Sequence, residues 1–233
     1  MLIKFLGTGP NNPITDKKGK SNRLQSSVLI THGDIKIMID CTPSVQKQLK
    51  KIKPDYLLIT HAHRDAAGGL RLIKNIKLLT TQKLYSELEK RYPVKQLQFV
   101  NISKIHKIDG FKIECFEVEH AKDFTTYGYR ISFAGKKIVY ASDFKIIPKK
   151  NEKYFKNTDV AIVDGAGWNF TVFGHQSIKG FLTLCKNWKI KKIYFTQIGR
   201  RVPNHEKAQK EIQKINKKAF LAWDGLALKI GGN

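Results

Sequence analysis

The chain is short of several things at once. It has only three cysteines in 233 residues, Cys41, Cys115 and Cys185, and no two of them form a CxxC unit. An odd, scattered set argues against a disulfide framework and predicts free core thiols in a reducing, cytoplasmic setting. No apolar run approaches the roughly 18 residues that a membrane-spanning helix needs. The opening Met1-Leu2-Ile3-Lys4-Phe5-Leu6 turns polar too soon for a secretory signal. These absences predict a soluble protein with no membrane partner. Linker-like composition shifts, low-complexity tracts and short repeats are missing too, so residues 1–233 read as one domain, or as one domain of two similar halves.

Acidic residues are also scarce, 19 against 43 basic ones, for a formal net charge of +24. Such an excess attracts polyanions and makes nucleic acid a candidate partner. Only 7 of the 43 are arginine, however, the residue suited to gripping phosphate with two hydrogen bonds. A lysine-rich solvated surface explains the same charge, and composition leaves both readings open. Hydrophobic residues, at 41%, are numerous enough for a sizeable core.

Alternation and turn residues predict strands over 2–6, 26–31, 35–39 and 56–60, the middle two forming a hairpin about His32-Gly33-Asp34. Further strands are expected over 97–102, 111–118, 127–133, 137–141, 160–163 and 192–196, with short ones around Asp224-Gly225. Helical spacing marks 45–53, a start at 68–73, then 83–91, 178–188 and 205–217. Hairpins come first and strands alternating with helices follow. That order predicts an α+β protein of stacked sheets covered by helices, not a purely parallel doubly wound sheet.

The densest chemistry is Thr60-His61-Ala62-His63-Arg64-Asp65, directly after the apolar run Tyr56–Ile59. Two imidazoles two residues apart on a tight loop can meet one cation, with Asp65 adding an oxygen ligand or a base. That donor set suits zinc, manganese or iron. Other ionisable residues also stand where apolar runs end: Asp40 after Ile37–Ile39, His120 after Phe116–Val118, Asp143 after Ile138–Ser142, and Asp164 after Ala161–Val163. Strand ends converge at a sheet edge, so their repetition is a site-building pattern.

Together these motifs resemble the metallo-β-lactamase superfamily, in particular its phosphodiesterase and transfer-RNA 3′-processing, ribonuclease Z-like branch. The likeness runs from Leu6-Gly7-Thr8-Gly9 through Ile39-Asp40, the Thr60–Asp65 loop, Val118-Glu119-His120 and Ala141-Ser142-Asp143. It continues through Gly174-His175-Gln176-Ser177 and Thr196-Gln197-Ile198-Gly199-Arg200 to Ala222-Trp223-Asp224-Gly225. The resemblance implies a four-layer αββα sandwich of two similar halves, with metals at one edge between the sheets. It implies that His61, His63 and His120 bind a first metal, that Asp143 bridges to a second, and that Asp65 faces the second and acts on the attacking water. His175 would donate to a substrate phosphate; a buried histidine pinning a helix start is the alternative. The implied activity is metal-dependent hydrolysis of a phosphodiester in a nucleotide, a cyclic phosphate or a nucleic-acid end.

Two positions depart from that pattern. Ala66 stands where the family's His-x-His-x-Asp-His motif ends in histidine, and Gln197 stands where its Thr-His-Ile-Gly element has one. An alanine methyl cannot coordinate, and a glutamine offers only a weak carbonyl oxygen. The first position is complete and predicts one zinc ion. At the second, Asp65, Asp143 and the Gln197 oxygen would hold manganese or magnesium only with help from substrate phosphate. The competing reading is a catalytically degenerate nucleic-acid-binding or regulatory protein on the same fold. Arg200 and Arg201 are candidates to contact substrate phosphate or form a solvated pair. His205 reads as a helix start, and Trp168 and Phe170 as core or lid packing ahead of an entrance lining. His32 and His106 carry no assignment. The oligomeric state is open, a homodimer included.

Overall fold

The computed structural model describes residues 1–103 and 105–231. Among these residues the strands form two seven-stranded sheets with the same internal plan. The first runs β14 (Ala227–Lys229), β1 (Leu2–Gly7), β2 (Ser27–His32), β3 (Ile35–Ile39), β4 (Tyr56–Leu58), β5 (Lys77–Thr80) and β6 (Gln98–Asn101). The second runs β7 (Ile105–Ile108), β8 (Phe111–Val118), β9 (Thr126–Phe133), β10 (Lys136–Ala141), β11 (Val160–Asp164), β12 (Lys192–Thr196) and β13 (Ala219–Leu221). Each sheet begins with antiparallel pairs and turns parallel at its fourth strand, β3 or β10. This shared plan is the pair of similar halves the motifs implied.

Side-chain alternation shows why both faces of the second sheet are covered. Along β10, Ile138 and Tyr140 enter the core shared with the first sheet, whereas Val139 and Ala141 enter a second core under helices. β11 repeats the division, with Val160 and Ile162 on one side and Ala161 and Val163 on the other. α4 (Ile178–Leu184) and α5 (His205–Ile215) close that second core with Phe181, Leu182, Ala208 and Ile212. α1 (Val45–Leu49) and α3 (Gln82–Glu89) bury Val45, Leu49, Leu84 and Leu88 with the first sheet. Burying one such side chain stabilises by about 1.5–3 kcal/mol, so packing holds these short helices where propensity alone would not. The result is the αββα sandwich.

Several elements differ from the sequence expectation. β5 and β7 were not anticipated. The run Lys77-Leu78-Leu79-Thr80 is too short to show a period, and pairing with β4 and β6 makes it a strand. The expected helices at 45–53 and 178–188 stop at Leu49 and Leu184. Lys50, with φ 53°, turns left-handed and ends the first. The expected helix at 68–73 is a 3-10 turn over Gly68–Leu72, preceded by a single α-turn, α2 (Arg64–Ala67), inside the histidine loop.

Motifs from the two ends of the chain join in one network. Arg23 donates to the Thr8 hydroxyl and to the Ala222 carbonyl, both at 2.6 Å, and Thr8 donates to Asp224 at 2.7 Å. Next to Thr8, Gly7 lets the chain pass close to Gln25, because a Cβ there would lie 2.0 Å from the Gln25 carbonyl oxygen. All three cysteines are free and buried, as expected. Among the described residues no helix is long and apolar enough to cross a membrane.

Candidate metal centre

Residues following β3, β4, β10 and β12 meet the end of β11 at one edge of the sandwich. His61 is fully buried, and its side chain is held from behind. The Asp40 carboxylate accepts hydrogen bonds from the Thr60 amide (2.8 Å), the Thr60 hydroxyl (2.9 Å) and the Tyr140 hydroxyl (3.1 Å). With its proton directed to Asp40, the Thr60 oxygen can only accept from His61 Nδ1, 2.9 Å away. That fixes the tautomer and leaves His61 Nε2 as a bare lone pair. This nitrogen is buried and has no hydrogen-bond partner.

His120 is set the same way. Its Nδ1 donates to the Gly174 carbonyl at 2.7 Å, leaving Nε2 to face His63 Nδ1 at 3.3 Å. Gly174 sits at φ 75°, and a Cβ there would come within 3.0 Å of the His120 ring. The close carbonyl therefore requires glycine. One ligand nitrogen from each of His61, His63 and His120 lies within 4.8 Å of the others. Burial pushes His61 and His63 down to about 4, so both are neutral at neutral pH, the form that binds metal. Converging lone pairs with an orphaned buried acceptor fit a zinc-type cation.

The second position is built differently. Asp143 and Asp65 face each other across the Gln197 side chain, whose Nε2 donates to Asp143 Oδ1 at 2.6 Å and to Asp65 Oδ2 at 2.8 Å. Gln197 was expected to offer its carbonyl oxygen, but the amide presents its donor side. Burial, then the charge of Asp143, raises the Asp65 carboxyl above its ordinary range. Burial opposes ionisation of Asp143 as well, but His61, His120 and His175 outweigh it and hold that carboxyl well below the usual value. Ala66 is buried and brings no donor atom from its side chain.

His175 lies on the other side of Asp143. Its Nδ1 is 2.8 Å from Asp164 Oδ2 and 4.0 Å from Asp143 Oδ1. Burial would lower its pKa, but Asp164, joined by Asp143 and Asp65, outweighs that and lifts it to about 9. The start of α4 is capped by Ser177, which accepts from the Gly180 amide at 3.0 Å, and not by His175. A cavity of about 1230 Å³ opens over His63, Asp65, His120, Asp143 and His175. Phe173, 95% exposed, stands at its mouth.

The structure thus brings His61, His63, Asp65, His120, Asp143 and His175 into one cluster. Arg200 does not join them, since both oxygens of Asp16 hold its Nη1 at 2.9 Å. Trp168 packs against the helix-side core, and Phe170 is largely exposed away from the cavity lining. His205 is buried, with Nδ1 3.3 Å from Arg23 Nη2. Sequence reasoning gave no role to Thr60, Asp40, Asp164 or Phe173. For the two aspartates the signal was present, as both end apolar strands.

The strand order and the histidine-lined edge define the class. A model of the Beta-lactamase superfamily domain matches residues 36–198. The chain belongs to that family. A UPF0173 metal-dependent hydrolase of Natranaerobius thermophilus is 25% identical over 224 residues, spanning 87% of this chain and 95% of the relative. The solved structure of a diphosphatase from the PhnP family superposes with a TM-score of 0.85 at 22% identity, covering 99% of this chain and 98% of the other. The short form of human tRNase Z superposes at 0.71 with 18% identity, covering 99% and 100%. These structures share the metallo-β-lactamase fold, as the sequence motifs implied.

Proposed function

We propose that the chain is a metal-dependent hydrolase of a small phosphodiester, with zinc held by His61, His63 and His120. The observation that carries this reading is the His61 Nε2 lone pair, buried without a partner while Nδ1 is fixed by Thr60. An ion held there supplies Lewis acidity and activates water at neutral pH.

The protein's own groups supply the remaining chemistry. Asp65, its carboxyl raised by burial and by Asp143, takes a proton from the attacking water. His175, kept protonated by Asp164, donates to a phosphate oxygen or to the leaving group. Lys83, Lys122 and Lys145 line the cavity beside Glu87, Glu117 and Glu119. This mixed lining favours a nucleotide or cyclic phosphate over a long polyanion, which binds best along a continuous positive track. The metal-dependent hydrolase relative and the PhnP-family diphosphatase support the chemistry. In this reading residues 1–233 act as one unit, because the ligands come from both sheets. The free buried thiols suit a cytoplasmic location.

The net charge of +24 favours one competing reading, a nucleic-acid-binding protein without turnover. The test is metal content after dialysis, then turnover of bis(p-nitrophenyl) phosphate with zinc, manganese or magnesium. Turnover lost in His63→Ala but kept in Lys150→Ala supports the hydrolase. Salt-sensitive nucleic-acid binding that survives chelation, with no turnover under any metal, would replace it.

A further inference from the structure

We propose that the Gln197 side-chain amide stands in for a second cation, bridging Asp65 and Asp143 and closing that position to metal. The inference deepens the hydrolase reading and rests on its use of Asp65 and Asp143 as site carboxylates.

An amide nitrogen has two hydrogens, and here each has its own carboxylate, at 2.8 and 2.6 Å. Hydrogen bonds to ionised groups are about twice as strong as neutral ones, so the donor end is held against two partners. The opposite amide orientation would set Oε1 against both carboxylates and repel them. The residue is 3% exposed, which keeps water from competing. Its backbone is committed as well. Gln197 adopts φ 57°, a region costly for a residue with a Cβ, and the next amide, Ile198, donates to the Thr8 carbonyl at 2.8 Å. Strain of this kind persists only where surrounding contacts impose it. A cation entering between Asp65 and Asp143 would have to displace both hydrogen bonds, and Ala66 offers no ligand in return. Gln197 is therefore a positioning residue: it holds two facing carboxylates together without a metal.

Gln197→Glu tests this in the full-length chain, since it keeps the size and shape and replaces the donor with a third carboxylate. The readout is manganese bound per chain, by equilibrium dialysis with elemental analysis, in zinc-loaded protein. Gln197→Glu is expected to bind one equivalent more than the wild type, and Asp65→Asn added to it should remove that equivalent. Thermal melts check folding: the variant should be less stable than wild type in chelator and recover with manganese. If the acidic variant fails to fold, Gln197→Ala opens the same position and should gain an ion too. A wild-type chain binding manganese at this position, or no gain in either variant, overturns the inference. Wild type without zinc, but a manganese gain in Gln197→Glu, would sink the first-position reading and leave this one standing.

Discussion

Two neighbouring positions in this site bury polar groups in opposite ways. At the first, His61 is fully buried and its Nε2 has no partner. At the second, Asp65 and Asp143 are also buried, but the Gln197 amide nitrogen satisfies an oxygen of each, and only its own Oε1, turned away from them, has no partner. A buried acceptor left unsatisfied costs about 1–3 kcal/mol. A fold bears that cost readily when a ligand removes it, and has no reason to recruit an ion where hydrogen bonds already have. The contrast separates ring nitrogens left open toward a shared position from carboxylates already bridged by a donor.

The largest effect that could break this contrast lies at the first position. His63→Ala removes one of three imidazoles and is expected to weaken zinc binding by at least about 100-fold, more than an outer-sphere change costs, with turnover falling to background. Competition against a chromophoric chelator measures the affinity. An unchanged affinity would mean the three rings do not share an ion. Thr60→Val keeps the shape but removes the oxygen that fixes His61. It should weaken zinc by about 10- to 100-fold while the circular dichroism spectrum is retained. Equal affinity in wild type and variant would show that the His61 tautomer is set by something other than Thr60.

Asp164→Asn sharpens the role of the neighbouring histidine. Asp164 lifts His175 to about 9, so a step that needs its proton is lost as pH rises through about 9. Without the carboxylate the same limb of the kcat/KM profile should move toward the ordinary histidine value near 6.5. A limb that stays in place would assign that titration to another group.

The strands around this site were legible because their apolar runs end in a polar residue, as at Asp40, His61, Asp143 and Asp164. The cluster of His61, His63 and His120 was legible through the motifs' resemblance to the metallo-β-lactamase superfamily, because β8, which leads to His120, is antiparallel to both its neighbours. Short elements were not legible: Lys77–Thr80 carries no period of its own, and its neighbours make it a strand. Arg200 was misleading for a different reason, because a sequence cannot show that Asp16 reaches it first. Gln197 marks a sharper boundary. Its identity revealed that a ligand histidine was missing, but an amide has both a donor and an acceptor end. Only the positions of the two carboxylates decide which end is used.

His205 extends the comparison to a buried imidazole that has nothing to do with an ion. Its Nδ1 accepts from Arg23, and burial, followed by the Arg23 charge, pushes it down to about 4. The unfolded chain, with a histidine value near 6.5, binds more protons than the folded one between those limits. Stability should therefore hold above about pH 6.5 and fall as the pH drops toward 4, by no more than about 2–3 kcal/mol from this group. His205→Gln keeps an acceptor for Arg23 but cannot titrate, so urea melts of the metal-free variant should lose less stability across that window. His61 and His63 are also pushed to about 4 by burial. If the acid slope survives the substitution undiminished, those two rings carry it, and the satisfied and unsatisfied imidazoles differ in acid sensitivity as well as in metal demand.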